Sequence, residues 1–224
     1  RNSIGYTNLN VKICATHAGL TVGEDGASHQ ALEDIACMRV IPNMTVIVPA
    51  DAIEAKAAIH AITEMVGPAY VRLGRAGVPI INHEGSYRFE IGKGALLKEG
   101  KDATIIATGI MVSEALEASR ILEEKGLSVR VINIHTIKPI DKEIIIKAAK
   151  ETGAIVTVEE HNVIGGLGSA VAEVVVEGQP VAMKRIGTLD TFGESGKPDE
   201  LLIKYGLTKE EIVKAVEETI IRKG

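Results

Sequence analysis

Tryptophan is absent from the 224 residues, and with four tyrosines and two phenylalanines the aromatics amount to only 3%. A core must then be built from Ile, Val, Leu and Ala, which suits parallel sheets covered on both faces. Cysteine is nearly absent too. Cys14 and Cys37 lie in apolar patterns and make no metal-ligand spacing, so they read as buried, reduced thiols of a cytoplasmic protein without a disulfide. No apolar run reaches the roughly 18 residues of a membrane span, and no signal-peptide pattern opens the chain. Positive charge is not in excess: 25 Lys and Arg against 30 Asp and Glu leave a formal charge of −5. That balance argues against a nucleic-acid or membrane-surface role. The chain starts with Arg1 rather than Met and enters an apolar strand almost at once, which reads as a fragment.

What is present is ordinary for a globular protein, 46% hydrophobic and 25% charged, and long enough for one large domain or two small ones. Residues 1–75 read as strand, long loop, helix, strand, helix, strand. The strands are Val11–Ala15, Thr45–Val48 and Ala69–Leu73, and the first and second of them read as buried. A helical segment covers Ala31–Met38. A second helix is capped by Asp51 with Glu54 three residues on, a capping-box spacing, and Gly67-Pro68 stops it. Residues 76–91 lack a period and read as a linker. From Gly92 the pattern is regular, with strands Thr104–Thr108, Val129–Ile134, Ile155–Glu159 and Val181–Ile186. The helices between them are capped at Ser113 and Asp141, or begin near Gly168, and a last one follows Thr208 and Glu211. Alternating strands and helices imply parallel βαβ units. Residues 1–75 hold too few strands for a self-sufficient doubly wound domain, so they read as the back half of one.

The stretch with most chemistry is Ala15–Gln30, between the first strand and the first helix. It holds three glycines, at 19, 23 and 26, and four acid-base side chains, His17, Glu24, Asp25 and His29. The loop leaving the carboxyl end of a strand is where open parallel sheets bind ligands, and glycines let backbone approach a ligand closely. Spacing alone reaches a polar-ligand site, with a polar crossover as the plain alternative. Arg75, after the third strand, offers a guanidinium fork for phosphate or else a surface ion pair, and Arg72 offers the same chemistry. Glu159-Glu160-His161 and the glycine-rich Gly165–Ser169 could form an acid-base or anion site. The favoured reading there is a tight turn with the acids solvated or at a subunit interface. His60, His83 and His135 read as turn or surface residues, and Asp190, Gly193 and Glu194 carry no assignment.

The run Gly23-Glu24-Asp25-Gly26-Ala27-Ser28-His29-Gln30, with Ala15-Thr16-His17 ahead of it, resembles transketolase. Ile41-Pro42-Asn43-Met44, Pro49-Ala50-Asp51 and Val71-Arg72-Leu73-Gly74-Arg75 agree. The resemblance covers the whole chain and corresponds to the C-terminal part of that enzyme. It implies an α/β fold of open, mostly parallel sheets with helices on both faces. A partial pyrimidine-binding-type domain (1–75), a linker (76–91) and a transketolase C-terminal-like domain (92–224) would make up the chain. The implied activity is transfer of a two-carbon ketol unit between ketose and aldose phosphates, as in the pentose phosphate pathway. His29 would polarise the ketose carbonyl and assist proton transfer, and His17 would act beside the substrate phosphate. Asp25 would accept a hydrogen bond from the acceptor's C2 hydroxyl, and Arg75 would grip the terminal phosphate. Thiamine diphosphate and Mg²⁺ would serve the full assembly. No cofactor- or metal-binding residue is expected in this chain: the activating glutamate and stacking aromatics would lie upstream of Arg1. The Gly-Asp-Gly signature with its distant Asn would lie on an N-terminal section. That section, sugar phosphates and a second copy in a dimer are the expected partners, with no nucleic acid and no membrane, and the isolated chain is expected to be inactive. The alternatives are 1-deoxyxylulose-5-phosphate synthase, the beta subunit of a 2-oxoacid dehydrogenase, or a noncatalytic dimerisation or regulatory module.

Overall fold

In the computed structural model, which describes residues 1–223, Lys12–Ala15 forms strand β1, Thr45–Ile47 β2 and Ala69–Arg72 β3. β3 lies between the other two and runs parallel to both, with Cys14 opposite Val71 and Val46 opposite Tyr70. A fourth strand comes from far along the chain. Thr136–Lys138, directly after the His135 that reads as a turn or surface residue, runs antiparallel to β2 with Val46 opposite Lys138, giving the order β1-β3-β2 and then this late strand.

The second sheet is built from Ala95–Lys98 (β4), Ala103–Ala107 (β5), Val129–Asn133 (β6), Ala154–Asn162 (β8) and Ala182–Thr188 (β9), with Thr136–Lys138 of the first sheet as β7. Its order is β4-β6-β5-β8-β9, parallel except for β4, an edge strand that the sequence reading did not include. On one face, Ile105, Val131 and Val156 pack against α3 (Met111–Glu124) and α7 (Lys209–Lys223) through Val112, Ala115, Leu122, Ile212 and Val216. On the other, Ile106, Ile132 and Ile155 meet α4 (Lys142–Thr152) and α5 (Leu167–Gly178). Each buried branched side chain contributes about 1.5–3 kcal/mol. This second cluster continues into Val46, Val48 and Tyr70 of the first sheet, so the two sheets share one apolar seam.

Local signals placed most of these elements. Asp141 caps α4 by accepting from the Ile144 N–H at 3.2 Å, and Gly153 ends it in the left-handed conformation at φ 65°. Asp51 caps α2 (Ala52–Glu64) through the Glu54 N–H at 2.8 Å. Glu54 does not close the expected box; its carboxylate accepts from the Ala50 N–H, one residue earlier, at 2.6 Å. It also accepts from Asn133 Nδ2 at 2.9 and 3.1 Å and from the Tyr87 hydroxyl. Burial pushes the Glu54 carboxyl up, against the pull of these donors. The other Asp51 oxygen accepts from the Ile81 and Asn82 N–H groups at 2.9 and 2.8 Å. Burial alone would raise the Asp51 carboxyl, but these backbone donors with that of Glu54 outweigh it and hold it low. Residues 76–91 have no regular element, yet α2 pins them at both carboxylates.

Four further readings are corrected, and one helix is new. Strand β1 sits at a sheet edge, half-covered rather than buried. Cys14 and Cys37 are exposed, because the apolar patterns around them face one side and the thiols the other. Ser113 does not cap α3: its hydroxyl donates to the Ile110 carbonyl at 2.9 Å, inside the first turn. Helix α6 (Pro198–Lys204) was not anticipated. His135 is buried, its ring 4.3 Å from that of Phe89, whereas His60 and His83 are exposed.

Burial, opposed weakly by Asp141, lowers the His135 pKa to about 4 from 6.5. The unfolded chain binds a proton there that the fold refuses, so this residue's support is complete above pH 6.5 and is lost as pH falls through 4. At about 1.4 kcal/mol per unit, roughly 3 kcal/mol of stability should disappear across that window. Urea unfolding at pH 7 and pH 4.5 should show a smaller drop in His135→Asn than in the unchanged protein; equal drops would mean another group sets the acid limit.

Candidate functional site

Strands β1 and β3 are parallel neighbours, so their carboxyl ends lie side by side and the loops that leave them meet. The Leu73 N–H donates to Ala15 O at 2.8 Å, Ala18 N–H to Leu73 O at 3.3 Å, and Gly19 N–H to Ala31 O at 3.0 Å. These bonds close residues 16–31 into a bounded loop above the sheet edge. Within it, Leu20–Asp25 winds as a 3-10 segment kinked at Gly23, where φ is 83°. Leu20 and Val22 point into the core, while Glu24, Asp25, Ser28 and His29 are exposed.

His17 adopts φ 64°, a left-handed conformation uncommon for a residue with a Cβ. Its Nδ1 lies 2.9 Å from the Thr16 hydroxyl. His29 Nδ1 lies 3.0 Å from the Ser28 hydroxyl. Arg75 reaches across from the end of β3. Its Nη1 donates to Val22 O at 2.7 Å and meets Asp25 Oδ2 at 3.3 Å. Asp25 and Arg75 are therefore brought together; among the described residues, no hydrogen bond joins His17 or His29 to that pair. Their side chains keep 46% and 44% of their surface in solvent. An ion pair so exposed is worth about 0–1 kcal/mol, so it orients the guanidinium far more than it stabilises the fold.

Beneath the loop lies a buried charge cluster that sequence patterns did not reveal. Arg72 Nε donates to Asp34 at 2.9 and 3.2 Å, and its Nη2 donates to Ala31 O at 3.1 Å and Glu160 O at 2.9 Å. The Tyr70 hydroxyl donates to Asp34 at 2.7 Å. Asp34 opens α1 (Asp34–Arg39). The Glu160 carboxylate, 3.9 Å from Arg72 Nη1, accepts from the Thr21 N–H at 2.7 Å. Burial would lower the Arg72 pKa, but Asp34 and Glu160 together raise it. Burial raises the Glu160 carboxyl, against the pull of Arg72 and Thr21.

Glu159 and Glu160 are thus not solvated acids of a tight turn; both are buried. Glu159 accepts from the Leu167 and Gly168 N–H groups at 2.7 and 2.8 Å, at the start of α5. The helix start that the glycine-rich run suggested for an outside anion is occupied by the chain's own carboxylate. Burial lifts Glu159 to about 7 despite those donors. His161, also buried, has Nδ1 2.7 Å from Asn162 O, and its Nε2 accepts from the Ala36 N–H at 3.4 Å, which fits the neutral ring. Burial, then Arg72, holds its pKa down. Among the described residues, no three His, Cys, Asp or Glu side chains converge in a way that could hold a metal ion.

Gly19 shows how tightly the loop sits on this cluster. Its φ of 88° and ψ of −178° are open only to glycine, and a Cβ there would overlap the Glu160 carboxylate. Gly126, at φ 83°, faces open space. Gly126→Ala should cost about 1–2 kcal/mol from backbone strain, and Gly19→Ala clearly more in denaturant unfolding. Equal costs would mean that the loop yields and Glu160 does not fix it.

Residues 1–80 match the family model for the transketolase pyrimidine binding domain, and residues 92–212 that for the transketolase C-terminal domain. A Methanocaldococcus jannaschii protein named "Putative transketolase C-terminal section" is 55% identical over 220 residues, covering 97% of this chain and 69% of that protein. A 6-deoxy-6-sulfo-D-fructose transketolase subunit of Clostridium sp. is 46% identical over 222 residues, 99% of this chain and 69% of that protein. A solved structure described as "Split gene transketolase, inactive beta4 tetramer" superposes with a TM-score of 0.94 at 54% identity, covering all of this chain and 71% of its own.

Proposed function

The chain belongs to the transketolase family, and from that membership we propose that it acts as the C-terminal subunit of a split transketolase. Joined to an N-terminal section, it would move a two-carbon ketol unit from a ketose phosphate to an aldose phosphate. The observation that carries this reading is the meeting of Asp25 and Arg75 at the loop that holds the family octapeptide. Support for a second section comes from the similar split-gene protein, whose beta chains alone are described as an inactive tetramer.

The family depends on thiamine diphosphate, which supplies the carbanion chemistry of ketol transfer. The described residues do not fit the diphosphate end of that cofactor or its divalent metal: no ligand cluster converges, and the glycine-rich helix start is filled by Glu159. Those tasks fall to the N-terminal section, while residues 1–75 serve as part of a pyrimidine-binding domain, with 76–91 as linker and 92–224 as the C-terminal domain.

This chain's residues act on the sugar. Arg75 offers N–H groups to the terminal phosphate while Val22 O and Asp25 hold its Nη1. Asp25 has a second carboxylate oxygen for the acceptor's C2 hydroxyl. His17 serves the phosphate end, with its backbone in the left-handed conformation. His29 polarises the ketose carbonyl and passes the proton, which an imidazole can both donate and accept. The sulfosugar named for the Clostridium relative shows that an anionic head other than phosphate occurs among similar proteins.

Two substitutions test the assignment in the reconstituted enzyme. Arg75→Ala should raise KM for phosphorylated sugars about ten- to a hundredfold, the worth of one charge-assisted contact, and leave unphosphorylated analogues nearly untouched. Equal losses for both would make Arg75 structural. Asp25→Ala should lose efficiency most with acceptors carrying the correct C2 hydroxyl, narrowing their lead over the epimers by a few kcal/mol at most. A uniform fall would mean that Asp25 holds the loop and does not read the sugar.

A further inference from the structure

Gln30 closes the octapeptide and is 5% exposed. Its Nε2 donates to Leu20 O at 3.3 Å, Gly23 O at 3.1 Å and Glu194 O at 2.9 Å. Two amide protons thus serve three carbonyls, and those carbonyls decide the orientation, since the flipped amide would set oxygen against oxygen. The Oε1 atom is buried without a donor among the described residues. It faces Gly193, where a Cβ would overlap it. A buried unpaired amide oxygen costs about 1–3 kcal/mol, and the fold tolerates this at the one side chain that ties both ends of Leu20–Gly23 to the turn 193–195. The same turn grips the loop again, with the Ser195 hydroxyl donating to Glu24 O at 2.9 Å. What that loop carries is Val22 O and Asp25 Oδ2, the two acceptors on Arg75 Nη1.

We infer that Gln30 is a positioning residue for substrate recognition, through which the turn 193–195 of the C-terminal domain aims the Arg75 guanidinium at the anionic end of the sugar. Gln30 touches no substrate; it acts through Val22 and Asp25. The identity of the anion rests on the ketol-transfer reading above, whereas the coupling of Gln30 to Arg75 does not.

The test uses the subunit that contains this sequence, assembled with an N-terminal section and thiamine diphosphate. Gln30→Ala should raise KM for a phosphorylated acceptor about tenfold, leave kcat within about twofold, and leave an unphosphorylated acceptor almost unchanged. In an Arg75→Ala background the same change should add less than about twofold, because the two residues act in series. Gln30→Glu keeps the size and loses the donors, so it should fail to rescue. Gly193→Ala presses on the amide from its other side and should shift KM in the same direction, and it carries the test if Gln30→Ala does not fold. Equal loss with both acceptors, or independent effects of Gln30 and Arg75, would overturn the inference. A readout free of turnover separates this from failure of the functional reading. In the ¹⁵N-labelled chain alone, Gln30→Ala should move or broaden the Arg75 Nε resonance while that of Arg130 stays in place; an unmoved Arg75 signal would overturn the coupling whether or not the assembly transfers ketol units.

Discussion

A guanidinium buried at the end of a strand must find acceptors in every direction, and the candidate site is arranged around how Arg72 finds them. Its partners come from three places: Asp34 at the start of α1, Ala31 O at the end of the site loop, and Glu160 on β8 of the second sheet. Removing one partner of such a buried pair costs about 3–5 kcal/mol, because it strands the other charge. The loop, the first helix and the second sheet are therefore held in one arrangement. Glu160 then extends the arrangement upward by taking the Thr21 N–H, and Gly19 has no side chain so that this can happen.

The exposed residues proposed to meet the sugar rest on that base. Asp25, Arg75, His17 and His29 lie on loops of the first sheet, but residues of the second part of the chain dictate the loop's path. Rigid support beneath exposed side chains is what substrate selection needs, since a site that reads a hydroxyl or a phosphate discriminates only if its groups cannot drift. The apolar seam joining Val46, Val48 and Tyr70 to Ile106 and Ile132 serves the same end by keeping the sheets in register.

Much of this was legible. The capped helix α4, with Asp141 at one end and Gly153 at the other, follows from local backbone chemistry. The parallel order follows from alternating strands and helices. The octapeptide and Leu73-Gly74-Arg75 pointed to the loops that meet, because chemistry-bearing residues cluster where strands end. The misread residues share one cause. Hydrophobic period tells which face of an element is apolar, not what covers it. Cys14 looked buried in an apolar strand that proves to be an edge, His135 looked like a turn residue before it became flanked by a strand, and Glu159 and Glu160 looked like surface acids.

The sequence by itself determined most of the helices and central strands and the family, and it named Asp25, Arg75, His17 and His29 as candidates, because capping, periodicity and a contiguous motif are local properties. Only the tertiary structure decided that Arg75 meets Asp25 across 50 residues, that Glu160 and Gln30 hold the loop to the second sheet and its following turn, and that Glu159 fills the helix start a free anion could have used. Each of those is a long-range pairing of polar groups, set by which donors remain unsatisfied once the sheets have packed, and no local pattern encodes that remainder.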